Sequence, residues 1–143
     1  MLNITASGLL GPVVALNAWT LVMEVWMYAV IIPVSQEIKP TPATTKSQLE
    51  AQTPASARWK KDNFNHLMEQ PTQFYAIALT LAIIRGGQDE DLDVLLAWLY
   101  MGTRVVHSLV QVTSNALAVR FCLFAFSSSL LAVMVARAAM ELF

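Results

Sequence analysis

Residues 9–34 read LLGPVVALNAWTLVMEVWMYAVIIPV, with no cation and one carboxylate, Glu24. A helix of that length rises ~1.5 Å per residue and crosses a bilayer core of ~30 Å with some tilt. Pro33 and the polar residues after it predict the end of the span. No Lys or Arg precedes Lys39, so the run lacks the positive region of a secretory signal and is expected to remain as a membrane span.

Beyond this run, three further apolar stretches predict spans over about residues 65–84, 92–113 and 116–140. The Gly86-Gly87 pair suits a helix stop after the second. The run Asp89-Glu90-Asp91 precedes the third, and the short polar link Ser114-Asn115 leaves the third and fourth as antiparallel neighbours. The expected fold is therefore all-α: one domain over residues 1–143, an integral membrane four-helix bundle. Hydrophobic residues make up 56% of the chain and charged residues 13%, which is too apolar for an ordinary soluble domain. The net charge of -1 speaks against a polyanion-binding surface, so no nucleic-acid partner is expected. The one cysteine, Cys122, allows neither a disulfide framework nor a cysteine metal site, and no metal is expected.

Lys39, Lys46, Arg58, Lys60 and Lys61 all fall between the first two spans, whereas the next connection holds only Arg85. Positive flanks stay in the cytoplasm, so the first and third loops are expected there and both termini outside. Residues 35–62 carry Pro40, Pro42 and Pro54 among small polar residues, a composition that predicts a mobile loop.

Charged groups in hydrocarbon cost roughly 2.5–3.5 kcal/mol each on insertion scales, and so usually face a bundle interior or a wet cavity. Glu24, Glu69, Arg104 and His107 are such groups. Counted at ~1.5 Å per residue, Glu24 lies about 22 Å from the outer end of the first span, and Arg104 and His107 about 18 and 22 Å from that of the third. Glu69 lies about 6 Å inside the cytoplasmic end of the second. All four fall in the cytoplasmic half. Residues three, four or seven apart share a helix face, which groups Tyr100, Arg104, His107 and Gln111 on the third span. Lys61, Asn65, Glu69 and Thr72 form a stripe on the second, and Asn17, Glu24 and Tyr28 one on the first. Pro71 removes a backbone donor and is expected to free the Leu67 carbonyl near the same level. Two readings of the stripes stand: a polar ligand cavity, or interhelical pairing in which Glu24 or Glu69 neutralises Arg104, with Asn17, Glu24 and Gln111 structural.

Residues 62–75, DNFNHLMEQPTQFY, resemble the second helix of the MAPEG superfamily, the membrane-associated proteins in eicosanoid and glutathione metabolism. Residues 97–107, AWLYMGTRVVH, followed by Asn115 and Arg120, resemble its third helix and the turn into the fourth. The resemblance is to bacterial-type members and implies a homotrimer in the inner membrane, with glutathione as co-substrate between subunits near the cytoplasmic side. It also implies that Asn65 and Glu69 bind the peptide part of glutathione and that Lys61 holds a carboxylate. Tyr100, His107 and Arg120 would complete the binding set, and Arg104 would be the catalytic group that stabilises the thiolate. A thiol of pKa ~8.5 is mostly protonated at neutral pH, and a nearby cation enriches the nucleophile. Lys61 stands where the transferases carry arginine, and Gln111 where an aromatic residue is expected. The implied function is a glutathione-dependent transferase or peroxidase-like protein acting on hydrophobic electrophiles from the lipid. The alternative is a non-catalytic relative, either an accessory subunit or an oligomeric scaffold. A channel or transporter is disfavoured, because no broken helix is visible.

Overall fold

The computed structural model describes residues 7–88 and 90–143, which form five helices and no strand among the described residues. Four are long: α1 (Leu10–Ile38), α3 (Ala55–Arg85), α4 (Asp91–Thr113) and α5 (Leu117–Leu142). The fifth, α2 (Lys46–Gln52), lies in the connection expected to be a loop. Its start is fixed by a reciprocal cap, in which the Thr45 hydroxyl accepts from Gln48 N and the Gln48 side chain accepts from Thr45 N.

The helices at this end are longer than expected. Pro33 does not stop α1, which continues to Ile38 and closes on Lys39 in the left-handed region at φ 51°, its N–H donating to Ser35 O. A proline so near the C-terminus removes one backbone bond without unwinding the rest. The third helix begins at Ala55, well before Asn65, because Pro54 supplies an extended entry residue at ψ 144°. At its other end Gly86 takes φ 57°, a conformation that a Cβ would strain. Asp89, part of the acidic run, lies outside the described residues.

The long helices pack α1 on α3, α4 on α5, and α3 against both α4 and α5, with α1 also touching α4. Their core holds Leu16 from α1, Phe74, Ala78 and Leu81 from α3, Tyr100 from α4, and Met134 from α5, all fully buried. Phe74 and Tyr100 stack with ring centroids 4.4 Å apart and planes 12° from parallel. Small residues Ala78, Ala97 and Ala138 are buried between the helices, which lets the backbones approach closely.

Two helices, α1 and α5, are long and apolar enough to cross a membrane, and only 22% of each apolar window is buried. The remainder faces outward, with Val25 at 69% and Phe121 at 69% exposure. Such a surface suits lipid rather than water.

One end is closed by an ionic cluster that the sequence reading did not assemble. Asp93, fully buried in the first turn of α4, accepts from Arg85 Nε at 3.2 Å and Nη2 at 3.0 Å and from Arg137 Nε. Glu90 pairs with Arg85 at 2.9 Å and with Arg137, and Glu141 accepts from Arg85 Nη1 at 3.0 Å. The ends of α3 and α5 are thus pinned to the start of α4. Removing a buried partner strands the opposite charges, at a cost of about 3–5 kcal/mol. Asp93→Ala should therefore lower unfolding stability in detergent by about that amount. A loss under about 1 kcal/mol, the range of an exposed pair, would show that the cluster is solvated and the clamp weak.

Candidate functional site

The polar stripe of α4 points inward as its spacing predicts. Tyr100 is 0% exposed, Arg104 2%, His107 5% and Gln111 0%. The other two stripes do not follow. On α3, Asn65, Glu69 and Thr72 are exposed and Lys61 is half-buried. The apolar residues Leu67, Phe74, Ala78 and Leu81 fill the core and set the rotation, bringing Asn63 and Gln70 to the inner face instead. Along α1, Leu16, Thr20, Met23 and Met27 are buried, which turns Asn17 and Tyr28 outward and leaves Glu24 half-exposed. Of the three residues expected as structural intramembrane polar groups, only Gln111 is inside.

Arg104 consequently meets dipoles, not carboxylates. Its Nη1 donates to Gln70 Oε1 at 3.1 Å and its Nη2 to the His66 carbonyl at 3.0 Å. That carbonyl lies one residue before Leu67, whose own carbonyl Pro71 was expected to free. Among the described residues no carboxylate forms an ion pair with Arg104. Its Nε has no partner, nor has the Tyr100 hydroxyl one turn earlier.

Gln70 is the residue that sequence reasoning missed. Besides accepting from Arg104, it accepts from Ser127 Oγ at 3.3 Å and donates from Nε2 to Ser128 Oγ at 2.6 Å. One amide therefore joins α3, α4 and α5. The signal is present in the spacing Asn63–His66–Gln70, which is as helical as that of Lys61, Asn65, Glu69 and Thr72.

A second cationic group lies nearer the α4–α5 turn. Asn115, at φ 49°, accepts from Arg120 Nη1 at 2.6 Å. With the Gln111 amide oxygen turned toward its two donors, it accepts from Arg120 Nη2 and from Asn63 N, both at 3.2 Å. The His66 ring lies between Arg120 and Glu69: Nε2 is 3.4 Å from Arg120 Nη2, and Nδ1 is 3.1 Å from Glu69 Oε2. His66 and His107 meet edge to face at 6.3 Å.

Three openings lie beside these groups. Lys61 shares a cavity of about 250 Å³ with Arg58, Asp62 and Asn115, and its ammonium already holds a carboxylate, that of Glu50, at 3.6 Å. His66, His107 and Arg120 line a cleft of about 240 Å³ walled by Leu117, Phe121 and Phe124. Glu69 and Gln70 border a groove of about 830 Å³ along α5. Within one chain, then, the expected ligand residues do not converge on a single cavity. Among the described residues no group of three or more His, Cys, Asp or Glu is placed to hold a metal, and Cys122 is exposed.

A family model described as the MAPEG family matches residues 9–140. No curated protein and no solved structure gives a match.

The Gln70 junction yields a direct expectation. Gln70→Leu leaves Arg104 and two serines short of a partner and should cost about 1–3 kcal/mol in unfolding stability. Gln70→Glu keeps the acceptor and should lose less. Equal unfolding temperatures for wild type and Gln70→Leu in detergent would show that the amide does not tie the helices.

Proposed function

The chain belongs to the MAPEG family, and from that premise we propose that it is a glutathione-dependent transferase or peroxidase-like membrane protein acting on hydrophobic electrophiles. In this reading the four long helices cross the membrane and three copies assemble, with both termini outside and the α1–α3 connection in the cytoplasm of a bacterial cell. The five cations from Lys39 to Lys61 support that orientation.

The observation that carries the reading is the buried Arg104 guanidinium, which has no carboxylate partner among the described residues and one unused N–H. A permanent charge in such surroundings is an incomplete site, and an incoming thiolate would complete it. The thiolate would take Nε, or displace the neutral Gln70 oxygen from Nη1, with the Tyr100 hydroxyl one turn away as a further donor. Asn65 and Glu69 are exposed on α3, so they suit a site finished by a neighbouring copy. Lys61, which already grips the Glu50 carboxylate, suits a carboxylate of the tripeptide. The sulfur then attacks the electrophilic carbon as the leaving group departs with its electron pair. His107 and Arg120 open onto a separate cleft and are not needed for this step.

One observation favours the second reading, a non-catalytic scaffold or accessory subunit. Two of Arg104's N–H groups already join α3 to α4 through Gln70 and the His66 carbonyl, as interhelical glue would.

The two readings separate in one set of measurements on purified protein in detergent. If the first holds, glutathione raises the unfolding temperature and the protein accelerates conjugation of an aryl halide. Arg104→Leu should then lose about 10²-fold or more of that rate, as removal of one preorganised donor does. If glutathione neither protects nor reacts, while Arg104→Leu only lowers yield and oligomer content, the transferase reading fails and the scaffold stands. Native mass spectrometry of the same samples reports the subunit number.

A further inference from the structure

Helix α2 is held to the bundle by very little. None of its seven residues is buried, and among the described residues no hydrogen bond joins it to a long helix. Its ion pairs among those residues are Lys46 to Glu50 at 3.9 Å, inside the helix, and Glu50 to Lys61 of α3 at 3.6 Å. Glu50 is therefore its polar tie to α3. Its apolar tie is the neighbouring Leu49, half-buried in a cavity of about 90 Å³ with Ile31 and Val34 of α1. The reciprocal Thr45–Gln48 cap fixes the first turn but attaches it to nothing. A helix this short is well below the ~12–15 residues that persist alone in water.

The polar tie is made where a ligand would need the cation. Glu50, Arg58 and Lys61 line both that small cavity and the one of about 250 Å³ that also holds Trp59, Asp62 and Asn115. The residues common to the two openings are thus two cations and one carboxylate, and the carboxylate comes from α2. Its pair with Lys61 is open to water, the two side chains being 38% and 44% exposed. Such a pair shifts an equilibrium by at most about fivefold, enough to bias the site and little enough for another anion to displace. The connection also permits movement. Lys39 leaves α1 in the left-handed region and is followed by Pro40 and Pro42, and Thr53 and Pro54 are extended, so α2 hangs between two non-helical segments.

We propose that α2 is an autoinhibitory strap, its Glu50 carboxylate occupying Lys61 until a carboxylate of the incoming ligand displaces it and α2 is released. This rests on the reading of Lys61 as the residue that takes a carboxylate of the tripeptide, and it adds the competitor for that position. Binding and release are then one exchange. Lys61 trades an internal carboxylate for an external one, and the short helix, having lost its tie, melts. Apparent affinity is lowered by the fraction of molecules in which Glu50 holds the ammonium, and removing Glu50 restores it.

The test uses the full chain in detergent as wild type, Glu50→Gln and Lys46→Gln. Three quantities are read: hydrogen exchange of amides 46–52, the rate at which an amine reagent labels Lys61, and the affinity for glutathione, glutathione diethyl ester and glutarate. Without ligand, Glu50→Gln should speed exchange and labelling by about two- to fivefold, and it should tighten glutathione binding by the same factor. Lys46→Gln removes the other neighbour of Glu50 but leaves the tie, so it should raise neither labelling nor affinity. In wild type, glutathione should speed exchange of α2 while shielding Lys61, and the ester, whose carboxylates are blocked, should do neither. Unchanged exchange and labelling in Glu50→Gln overturn the strap whether or not glutathione binds. Equal glutathione affinity in wild type and Glu50→Gln, or binding with α2 still protected, also overturns it and leaves the transferase reading in place. Release of α2 by glutarate, with no binding of glutathione, keeps the strap and sinks the tripeptide reading. Release by neither carboxylate ligand, or by the ester as strongly as by glutathione, overturns the strap, because one carboxylate would then not be replacing another.

Discussion

A guanidinium that cannot lose its charge sits 2% exposed among helices, and the surrounding architecture is arranged around that constraint. Arg104 has to be met by dipoles, because the carboxylates of α1 and α3 are turned elsewhere. They are a side-chain amide, that of Gln70, and the backbone carbonyl of His66, more than one turn before Pro71. The amide is then committed to two serines of α5, and one buried charge thereby fixes how three helices lie against each other. Neutral acceptors share the cost of desolvation without cancelling the charge. A cation held in this way keeps the field with which it can act on an anion, whereas a salt bridge would have spent it.

The two ends of the molecule use different physics. At the end shared by the C-termini of α3 and α5, opposite charges are matched around Asp93, with Glu90 and Glu141 half-exposed at its edge. Toward the α4–α5 turn, cations outnumber the carboxylates that face them: Arg104 and Arg120 rest on amides, a carbonyl and an imidazole. Matched charge is a hinge pin; unmatched charge is a place for something to bind. The ligand proposed for this chain, a thiolate peptide, is an anion.

Much of this was legible from the sequence, but unevenly. The rotation of α4 followed from its own spacing, because Tyr100, Arg104, His107 and Gln111 lie on its only polar stripe. On α3 two polar stripes coexist, one through Asn65 and Glu69 and one through Asn63, His66 and Gln70. Only the apolar set Leu67, Phe74 and Ala78 decides between them. On α1 apolar side chains surround the helix, so the stripe through Asn17, Glu24 and Tyr28 gave the depth of Glu24 but not the face that packs inward. Helix α2 was missed although Thr45 and Gln48 carry the capping spacing, because the prolines around it suggested disorder. The Arg85–Asp93–Arg137 cluster joins residues 44 apart in the chain, and no local pattern reveals such a meeting.

The Gln70 junction bears on how the chain is made. Its partners lie 34, 57 and 58 residues further along, in Arg104, Ser127 and Ser128. Translation makes α3 before any of them, so this amide cannot complete its bonds until α4 and then α5 have been made. The junction is therefore among the last contacts of the fold to close, although the residue at its centre belongs to one of the earlier helices.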